Sequence, residues 1–284
     1  MADVMRRSQV DPQVFLPNSE MSRMIERELM PRLLRADVAA PLALTPAGSQ
    51  ASAVSRADLE TFLSHVLGDS EDEAIRFAAA LTDRGVPTEA IYLDLLAPTA
   101  NALGELWSAD TCDFVEVTVA LGRLQRVLRQ MSRVFIAPAP ATGDPIGRVL
   151  LSCIPGEQHT LGLFMVAEFM IRAGWGVSVG PPVAEADLLN LLRDEWFDVV
   201  GFSVTCDSRL AHLQREIRKV RACSRNSKVA IIVGGRVFND RPELVGRIGA
   251  DACAADARSA PEHACRLIER ARGSHHGAEA AVDD

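Results

Sequence analysis

Three residues between positions 157 and 162 have types and spacing that could bind a metal. Glu157, His159 and Gly162 form the arrangement E-x-H-x-x-G. A neutral imidazole can coordinate a transition metal, and a carboxylate two residues away can accept the second ring N–H, which fixes the tautomer and raises ligand basicity. The glycine would let a bulky planar group approach the backbone closely. A lone histidine is more often structural, so this segment does not decide its own role.

Polar and small residues follow two other apolar runs of the chain. Ser203 and Thr205 flank Val204, so in an extended chain their hydroxyl groups point to the same side. Gly234 and Gly235 follow the run "KVAIIV" and clear space against a sheet. Each feature also has an ordinary explanation, because serine and threonine at a strand end commonly cap the next helix and a glycine pair commonly turns the chain. Their meaning depends on whether the fold brings them together.

The second half of the chain alternates short apolar runs with segments of helical pattern. The runs are "RVLLSC", "WGVSVG", "DVVGFSV", "KVAIIVGG" and "ADACAADA", and the helical segments that follow them are 160–173, 184–196, 208–223, 242–248 and 260–272. Five such units predict a parallel sheet covered by helices on both faces. An open sheet of this kind binds ligands outside the carboxyl ends of its strands, at the switch point between the first and third strands. We therefore expect the residues after the first, third and fourth runs to meet at one edge.

The first half of the chain has only helical periodicity. Four segments, 55–68, 71–85, 87–107 and 114–135, can bury their apolar stripes against one another, and Pro98 is an expected kink in the third. The predicted fold class is α/β with an all-α N-terminal part, in which a helical bundle precedes a flavodoxin-like, five-stranded parallel sheet of Rossmann type. The predicted boundaries are a partly disordered extension over 1–54, the bundle over 55–136, a proline-rich linker over 137–147, the α/β domain over 148–273 and a disordered tail over 274–284.

Composition and charge exclude several classes of protein. No apolar run approaches the roughly 18 residues that would cross a bilayer, and the N-terminus lacks an apolar core of the secretory kind. The six cysteines lie far apart without a C-x-x-C pair, which argues against a disulfide framework or a zinc cage. The formal net charge of −8 argues against unaided nucleic-acid binding by the whole molecule. We expect a cytoplasmic protein that does not associate with membranes.

Together, the three strand-end motifs resemble those of the cobalamin-binding domain family, whose pattern is D-x-H-x-x-G, then S-x-L or S-x-T, then G-G. The resemblance implies that His159 is the lower axial ligand of cobalt, in place of the cofactor's own dimethylbenzimidazole. It implies a wider set of cofactor-binding residues, namely Glu157, His159, Thr160, Gly162, Ser203, Thr205, Gly234, Gly235 and Ala255. Glu157 stands where the family usually has aspartate, and the extra methylene alters the expected bond to His159. The alternative is a flavodoxin-like sheet that holds no tetrapyrrole.

The helical half carries a second, more specific resemblance. The pattern W-x-x-D-x-C-D-F-V-E-V-T-x-x-x-x-R-L-Q, which begins at Trp107, is similar to that of the antirepressors of the AerR/PpaA type from purple photosynthetic bacteria. This resemblance covers about residues 60 to 270. It implies that the bundle is a lid and that Trp107 covers the upper face of adenosyl- or hydroxocobalamin. It further implies a light- or redox-responsive regulator, without enzymatic activity, that binds a transcriptional repressor of photosynthesis genes and meets DNA only through that partner.

Three further points bear on the choice of function. Ser108 follows Trp107 where cobalamin photoreceptors that bind DNA have a histidine, so their bis-histidine mechanism does not carry over. A corrinoid protein that shuttles methyl groups to a methyltransferase is one alternative, and a haem-binding redox sensor with His159 as axial ligand is another; in the latter Cys153 and Cys206 could be redox-active. Arg123, Arg126, Arg129 and Arg133 line one helix opposite its leucine stripe, either as a solvated face or as a docking surface for a partner or for DNA phosphates.

Overall fold

The computed structural model of the protein describes residues 53–68, 70–137, 144–154, 157, 160–179 and 185–279. These residues all fall within one compact unit, Ala47–Asp284. His159, most of the predicted N-terminal extension and most of the predicted linker lie outside the described residues, as do positions 280–284 of the predicted tail. The boundaries predicted for separate domains therefore stay predictions.

The N-terminal part is a bundle of helices. They are α1 (Arg56–Leu67), α2 (Glu71–Asp83), the single turn α3 (Thr88–Ala90), a π-helical segment (Ile91–Leu96), α4 (Ala97–Ser108) and the long α5 (Phe114–Ile136). Along α5 the residues at helical spacing are buried, including Val117, Leu124, Leu128 and Phe135 of the predicted stripe, whereas Leu121 is half-buried. The bundle predicted from helical periodicity is present, with its core between these faces.

The junction of α1 with α2 is held by one buried carboxylate. Asp58 accepts the backbone N–H of Ser55 at 2.9 Å and the guanidinium Nη1 of Arg84 at 3.0 Å, while the Ser55 hydroxyl accepts the N–H of Asp58. The hydrogen bond from Arg84 is the main reason that the pKa of Asp58 is lowered to about 2. Because the carboxylate stays ionised, the capping box that starts α1 also ties α1 to the residue that ends α2.

The expected kink at Pro98 takes the form of a π-helical turn. Proline has no backbone N–H, so the carbonyl one turn earlier cannot form its usual helical bond. The chain adapts by widening over Ile91–Leu96, and the N–H of Ala97 bonds to the carbonyl of Tyr92, five residues back. Tyr92 lies in this widened turn and is fully buried.

The C-terminal part is a five-stranded, all-parallel sheet. Its strands are β1 (Arg148–Cys153), β2 (Gly176–Val179), β3 (Val199–Ser203), β4 (Ala230–Gly234) and β5 (Ala252–Ala254), in the order β2-β1-β3-β4-β5. The helices are α6 (Leu161–Arg172), α7 (Glu185–Asp194), α8 (Leu210–Cys223), α9 (Arg236–Asp240), α10 (Leu244–Ile248) and α11 (Ser259–Glu279), with a 3-10 turn (Asp207–Arg209) before α8. The predicted fold class is confirmed, including the switch point between β1 and β3.

Both faces of the sheet are covered, as the near-continuous apolar strands require. Helices α6 and α11 pack on one face, with Leu163, Met170 and Ile268 against Val149 and Ile232. On the other face, α8 packs with α7 and α10 over a second apolar cluster.

Two helices of the α/β part differ from the predicted pattern. An additional short helix, α9, follows β4, where the sequence indicated only a turn. The last helix was expected over 260–272 but continues to Glu279, into the segment 274–284 for which disorder was predicted. That segment contains no proline, and a single glycine such as Gly277 costs a helix only about 1 kcal/mol, so nothing in it forces the helix to stop.

The bundle packs directly on the sheet part through α6. Leu161, Met165 and Phe169 of α6 belong to the apolar core of the bundle. Phe169 lies 4.8 Å, ring centre to ring centre, from Phe135 of α5, and the guanidinium of Arg172 lies 4.7 Å from the centre of the same Phe135 ring. One side of α6 therefore packs in the apolar core of the bundle, and another side packs against the sheet.

A buried polar pair crosses this contact. The hydroxyl of Tyr92 donates to Glu168 Oε2 of α6 at 2.5 Å, and Ser132 of α5 bonds to the same carboxyl group. Burial raises the pKa of Glu168 above its ordinary value, although both hydrogen bonds oppose the shift. Burial and the neighbouring Glu168 also raise the pKa of Tyr92, so the phenol stays protonated and remains a donor.

Glu168 should make the stability of the protein depend on pH. Because its folded pKa lies above the unfolded value of 4.5, its contribution is fully present below pH 4.5 and is lost as the pH rises through the raised pKa. Glu168→Gln removes this loss, and we expect its free energy of unfolding to fall less steeply than that of the wild type from about pH 5 to pH 8. Urea unfolding at several pH values measures the slope.

The matched control for loss of one negative charge is Glu60→Gln on the exposed face of α1. It should retain the pH slope of the wild type. Equal slopes for the wild type and Glu168→Gln would show that the carboxyl group at this contact titrates alike in the folded and unfolded chains.

Candidate functional site

The parallel register places the ends of four strands side by side. Cys153 pairs with Ser203, Ser203 with Gly234, and Gly234 with Ala254. The residues that follow these strands therefore leave the sheet at one edge, as the sequence predicted for the loops after the first, third and fourth apolar runs. The structure brings Ser203 and Gly234 into direct register.

A buried carboxylate joins the loop after β1 to the loop after β3. Glu157 is only 4% exposed, and its Oε2 accepts the Thr205 hydroxyl at 3.0 Å and the Thr205 backbone N–H at 3.3 Å. Its own N–H bonds to the carbonyl of Ile154 at 2.9 Å. The sequence placed both residues at the site but did not predict this bond. A carboxylate after one strand and a hydroxyl after its neighbour are the signal that could have suggested it.

The charge of Glu157 also affects the thiol at the end of β1. Burial, with the charge of Glu157 as a smaller cause, raises the pKa of Cys153 to about 12. A thiol with such a pKa stays protonated and is a poor nucleophile and a poor metal ligand. Cys153 therefore packs as a small apolar residue, and the redox role considered for it finds no support in its surroundings.

Of the two glycines at the end of β4, Gly235 is required by the fold itself. It has φ +111°, and a Cβ there would lie 2.1 Å from the carbonyl oxygen of Val204. Gly234 is the last residue of β4, and a Cβ there would lie 3.3 Å from the carbonyl oxygen of Ala254, a close but less severe contact. The pair keeps this end of the sheet free of side chains.

Gly162 is different. It is the second residue of α6, it is exposed, and a Cβ there would meet nothing within 4 Å. The fold therefore gives no reason for a glycine, which costs a helix up to about 1 kcal/mol relative to alanine. Thr160, half-buried at the N-cap position, makes no side-chain bond to the helix start. The start of α6 is therefore accessible at Gly162, which lies close to Glu157 in the sequence.

The remaining predicted residues of the sheet part are partly accessible at the same edge. Ser203 and Thr205 are half-buried on either side of the fully buried Val204. Ala255 directly follows β5 and is exposed, and its carbonyl accepts the amide of Asn239 at 2.9 Å. These positions leave polar groups and open space where a ligand could be held.

The pattern that begins at Trp107 coincides with a helix boundary. Trp107 is half-buried in the last turn of α4, and Asp110 has φ +53°, the left-handed conformation that aspartate tolerates better than most residues. Asp113 and Glu116 form the capping box of α5, with each side chain accepting the other's backbone N–H at 2.8 Å. Much of the W-x-x-D-x-x-D-x-x-E pattern thus has a local structural reason. No described contact joins Trp107 to the strand ends, so its place in the site stays a prediction.

One of the four arginines predicted to line the outer side of α5 is not fully exposed. Arg123 is half-buried, and its Nη1 donates to the carbonyl of Val66 at 2.7 Å and to that of Gly68. It therefore satisfies carbonyl groups at the end of α1. Arg126, Arg129 and Arg133 are exposed.

Among the residues that the structure describes, no group of three or more histidine, cysteine, aspartate or glutamate side chains could hold a metal ion. His159 lies outside this set, so its role as metal ligand stays a prediction. Across the described helices, none has the length and apolar character needed to span a membrane.

Parts of the chain are similar to known proteins. Residues 147–264 match the family model of the B12 binding domain. The chain is 28% identical over 166 residues to an uncharacterized 20.5 kDa protein from the bchF-crtJ intergenic region of Rhodobacter capsulatus, and the match covers 58% of this chain and 85% of that protein. It is 24% identical over 134 residues to the dimethylamine corrinoid protein of Methanosarcina barkeri, covering 47% of this chain and 62% of that protein.

A solved structure shows the same fold. The monomethylamine corrinoid protein of Methanosarcina barkeri is similar over 75% of this chain and 99% of its own, with a TM-score of 0.65 and 13% sequence identity. At that identity the likeness concerns the architecture, a helical part followed by a five-stranded parallel sheet.

Replacing Thr205 tests the bond between the two loops. Thr205→Val keeps the size of the side chain but removes the hydroxyl group from the buried Glu157, and we expect it to lower the free energy of unfolding by about 1–2 kcal/mol. Thr205→Ser retains the hydroxyl group and should lose clearly less. Urea unfolding of the protein without cofactor measures both. Equal stabilities of the valine variant and the wild type would show that the bond contributes nothing to holding the loops together.

Proposed function

We propose, because residues 147–264 match the family model of the B12 binding domain, that the protein binds cobalamin at the carboxyl ends of β1, β3 and β4 and uses it to regulate a protein partner. The proposal rests on the arrangement of residues at the carboxyl ends of these strands. The loop of the E-x-H-x-x-G segment is fixed to β3 through Glu157 and Thr205, next to a helix start that is open at Gly162.

The residues present fit a bulky cofactor. Gly162 occupies a position where the fold has no need of glycine and where a side chain would project into open space. Ser203 and Thr205 offer half-buried hydroxyl groups, and the glycine pair leaves the end of β4 bare. A planar macrocycle over the start of α6, with a polar appendage along β3 and β4, would meet surfaces of the right character.

Specific residues would then hold the cofactor. His159 would ligate cobalt from below, while Ser203, Thr205, Gly234 and Gly235 would line the slot for the displaced tail. Thr160 and Ala255 would border the same edge, and Trp107 would cover the upper face. Glu157 is held by Thr205 and so fixes the backbone two residues before His159. A bound cobalamin supplies light absorption and an exchangeable upper ligand on cobalt.

The regulatory part of the proposal is supported by the bundle and by one relative. Helix α6 starts at the cofactor edge and ends against the bundle, where Phe169 and Arg172 contact Phe135. A change at its first turn can therefore be transmitted to α5. The protein from the bchF-crtJ intergenic region is matched over most of its length. We accordingly propose a light- or redox-responsive antirepressor that binds a repressor of photosynthesis genes and approaches DNA through that partner.

A second candidate is a corrinoid protein that carries methyl groups for a methyltransferase. The 24% identity to the dimethylamine corrinoid protein favours it. Such a carrier must expose cobalt to a methyltransferase, whereas in this structure the bundle shares a core with α6 and is tied to it by Tyr92 and Glu168. We therefore place the regulator first.

One measurement separates these functions. The protein is loaded with adenosyl- or hydroxocobalamin in the dark, and its absorption spectrum is recorded before and after blue-green light. A sensor should lose the adenosyl ligand in light. A carrier should accept a methyl group on cobalt from a methyl donor and its methyltransferase, independently of light. A Soret band after haem loading, without uptake of either corrinoid, would select the haem-binding redox sensor.

His159→Ala tests the axial ligand. We expect weaker binding of hydroxocobalamin or a spectrum shifted toward the water-ligated form, because no imidazole would remain in the loop after β1. His65→Ala in α1 is the matched control and should retain the wild-type spectrum. An unchanged spectrum and affinity in His159→Ala would remove this residue from the axial role.

Gly162→Ala separates a ligand requirement from a folding requirement. Since a Cβ at this position meets nothing, the variant should be as stable as the wild type or up to about 1 kcal/mol more stable, yet bind cobalamin at least tenfold more weakly. Gly246→Ala, at an equally open position in α10, should show the same stability effect with unchanged affinity. Wild-type affinity in Gly162→Ala would contradict close approach of the cofactor to this turn.

A further inference from the structure

A strongly basic surface lies on α8 and α10 of this acidic chain. Between positions 209 and 228 lie seven of the 30 basic residues and only one of the 38 acidic residues, Glu216. Glu216 is 1% exposed and bonds to Lys219, so it adds no free negative charge to the surface. The local charge is therefore opposite to the formal net charge of −8.

The basic residues of α8 lie on its outer side. Leu213, Ile217 and Val220 face the core, and the basic residues occupy the opposite positions. We define the arginine face by its exposed members, Arg215, Arg218, Arg221, Arg225, Lys228 and Arg247. Residues three or four apart are neighbours on a helix, so Arg215, Arg218 and Arg221 follow one another along the surface.

Helix α10 extends this face, because it packs beside α8. The side-chain amide of Gln214 donates to the backbone carbonyl of Arg247 at 2.8 Å. Arg221 spans the same junction and bonds to both carboxylate oxygens of Asp251 and to the carbonyl of Gly249. Arg221 is thus fixed and largely neutralised, and it serves to hold the neighbouring chain in place.

The other arginines are available for a partner. Within the part of the chain that the structure describes, Arg215, Arg218 and Arg247 form no hydrogen bond or ion pair, and all three are exposed. Arg225 donates one bond, to the backbone carbonyl of Asp194, which leaves its charge unmatched by that contact. Three exposed acidic residues border this face: Asp194 at the end of α7, Glu243 before the start of α10, and Asp251, which is bonded to Arg221.

The chemistry of this face favours phosphate groups over a protein surface. The large apolar side chains that are most exposed are Val115, Val119, Val134, Ile146, Val179 and Trp196, and none of them lies on α8 or α10. Protein interfaces need apolar or aromatic anchors at their centre, which this face lacks. Guanidinium groups match phosphate oxygens in a bidentate geometry and need no such anchor.

We propose that the arginine face binds the phosphate backbone of duplex nucleic acid directly and without regard to sequence. The remaining acidic surface repels the duplex, so binding occurs through this face alone and depends steeply on salt. This contact goes beyond the proposed function, since it requires neither cobalamin nor the repressor.

The test is a titration of the full chain into a fluorescent mixed-sequence duplex of about 25 base pairs, followed by anisotropy from about 25 to 200 mM KCl. The wild type should bind, with a Kd in the micromolar range at the lowest salt, and a second duplex of different sequence should bind equally. The double variant Arg215→Ala/Arg218→Ala should bind about tenfold more weakly at the lowest salt. Its slope of log affinity against log salt should be smaller by about 2.

The matched control is Arg129→Ala/Arg133→Ala, which removes two exposed arginines from α5. It should bind like the wild type. The proposal is overturned by absence of binding in the wild type at the lowest salt, by equal losses in the two double variants, or by equal affinity for a poly-glutamate peptide of the same charge as the duplex. The last result would indicate an acidic protein as the partner. Circular dichroism of each variant checks the fold, and because all four positions are exposed we expect unchanged spectra.

Discussion

The site depends on a single constraint, the burial of the Glu157 carboxylate. A buried carboxylate is stable only when hydrogen bonds replace the water that it has lost, and Thr205 supplies two of them from the neighbouring strand end. The bond has two consequences. It fixes the distance between the loops after β1 and β3, and it adds to burial, the main cause, in raising the pKa of the Cys153 thiol.

Helix α6 carries this constraint into the rest of the molecule. Its first turn borders the site, and Leu161, Met165 and Phe169 on one of its sides belong to the core of the bundle. On the same helix, the half-buried Glu168 carboxyl group accepts from Tyr92, a residue of the π-helical turn that precedes Pro98. The widened turn thus holds the phenol that bonds to α6. A regulator could use this arrangement to pass a change at Gly162 to α5, while a carrier of methyl groups would have to break it.

The sequence was informative wherever one physical rule decided the outcome. Alternation of apolar runs with helical segments predicts the parallel sheet and its switch point, and hence that Ser203 and Gly234 end side by side. Periodicity does not predict that a side chain bonds to another element. Arg123 has the spacing of a surface arginine, but its guanidinium donates to the carbonyl of Val66 at the end of α1. It also cannot tell why a glycine is present. Gly235 is required because a Cβ there would clash with the Val204 carbonyl, whereas the fold does not require glycine at position 162. Only the structure distinguishes these two cases.

The net charge of the chain also does not predict the charge of a local surface. A formal charge of −8 describes the far field of the molecule, but at physiological salt exposed charges act over roughly 8 Å, which is about the span of α8 from Arg215 to Arg221. Within that distance the surface is basic, and the distant carboxylates are screened. A partner that touches α8 therefore experiences the arginines first, and the acidic remainder limits how many of its phosphate groups can come close.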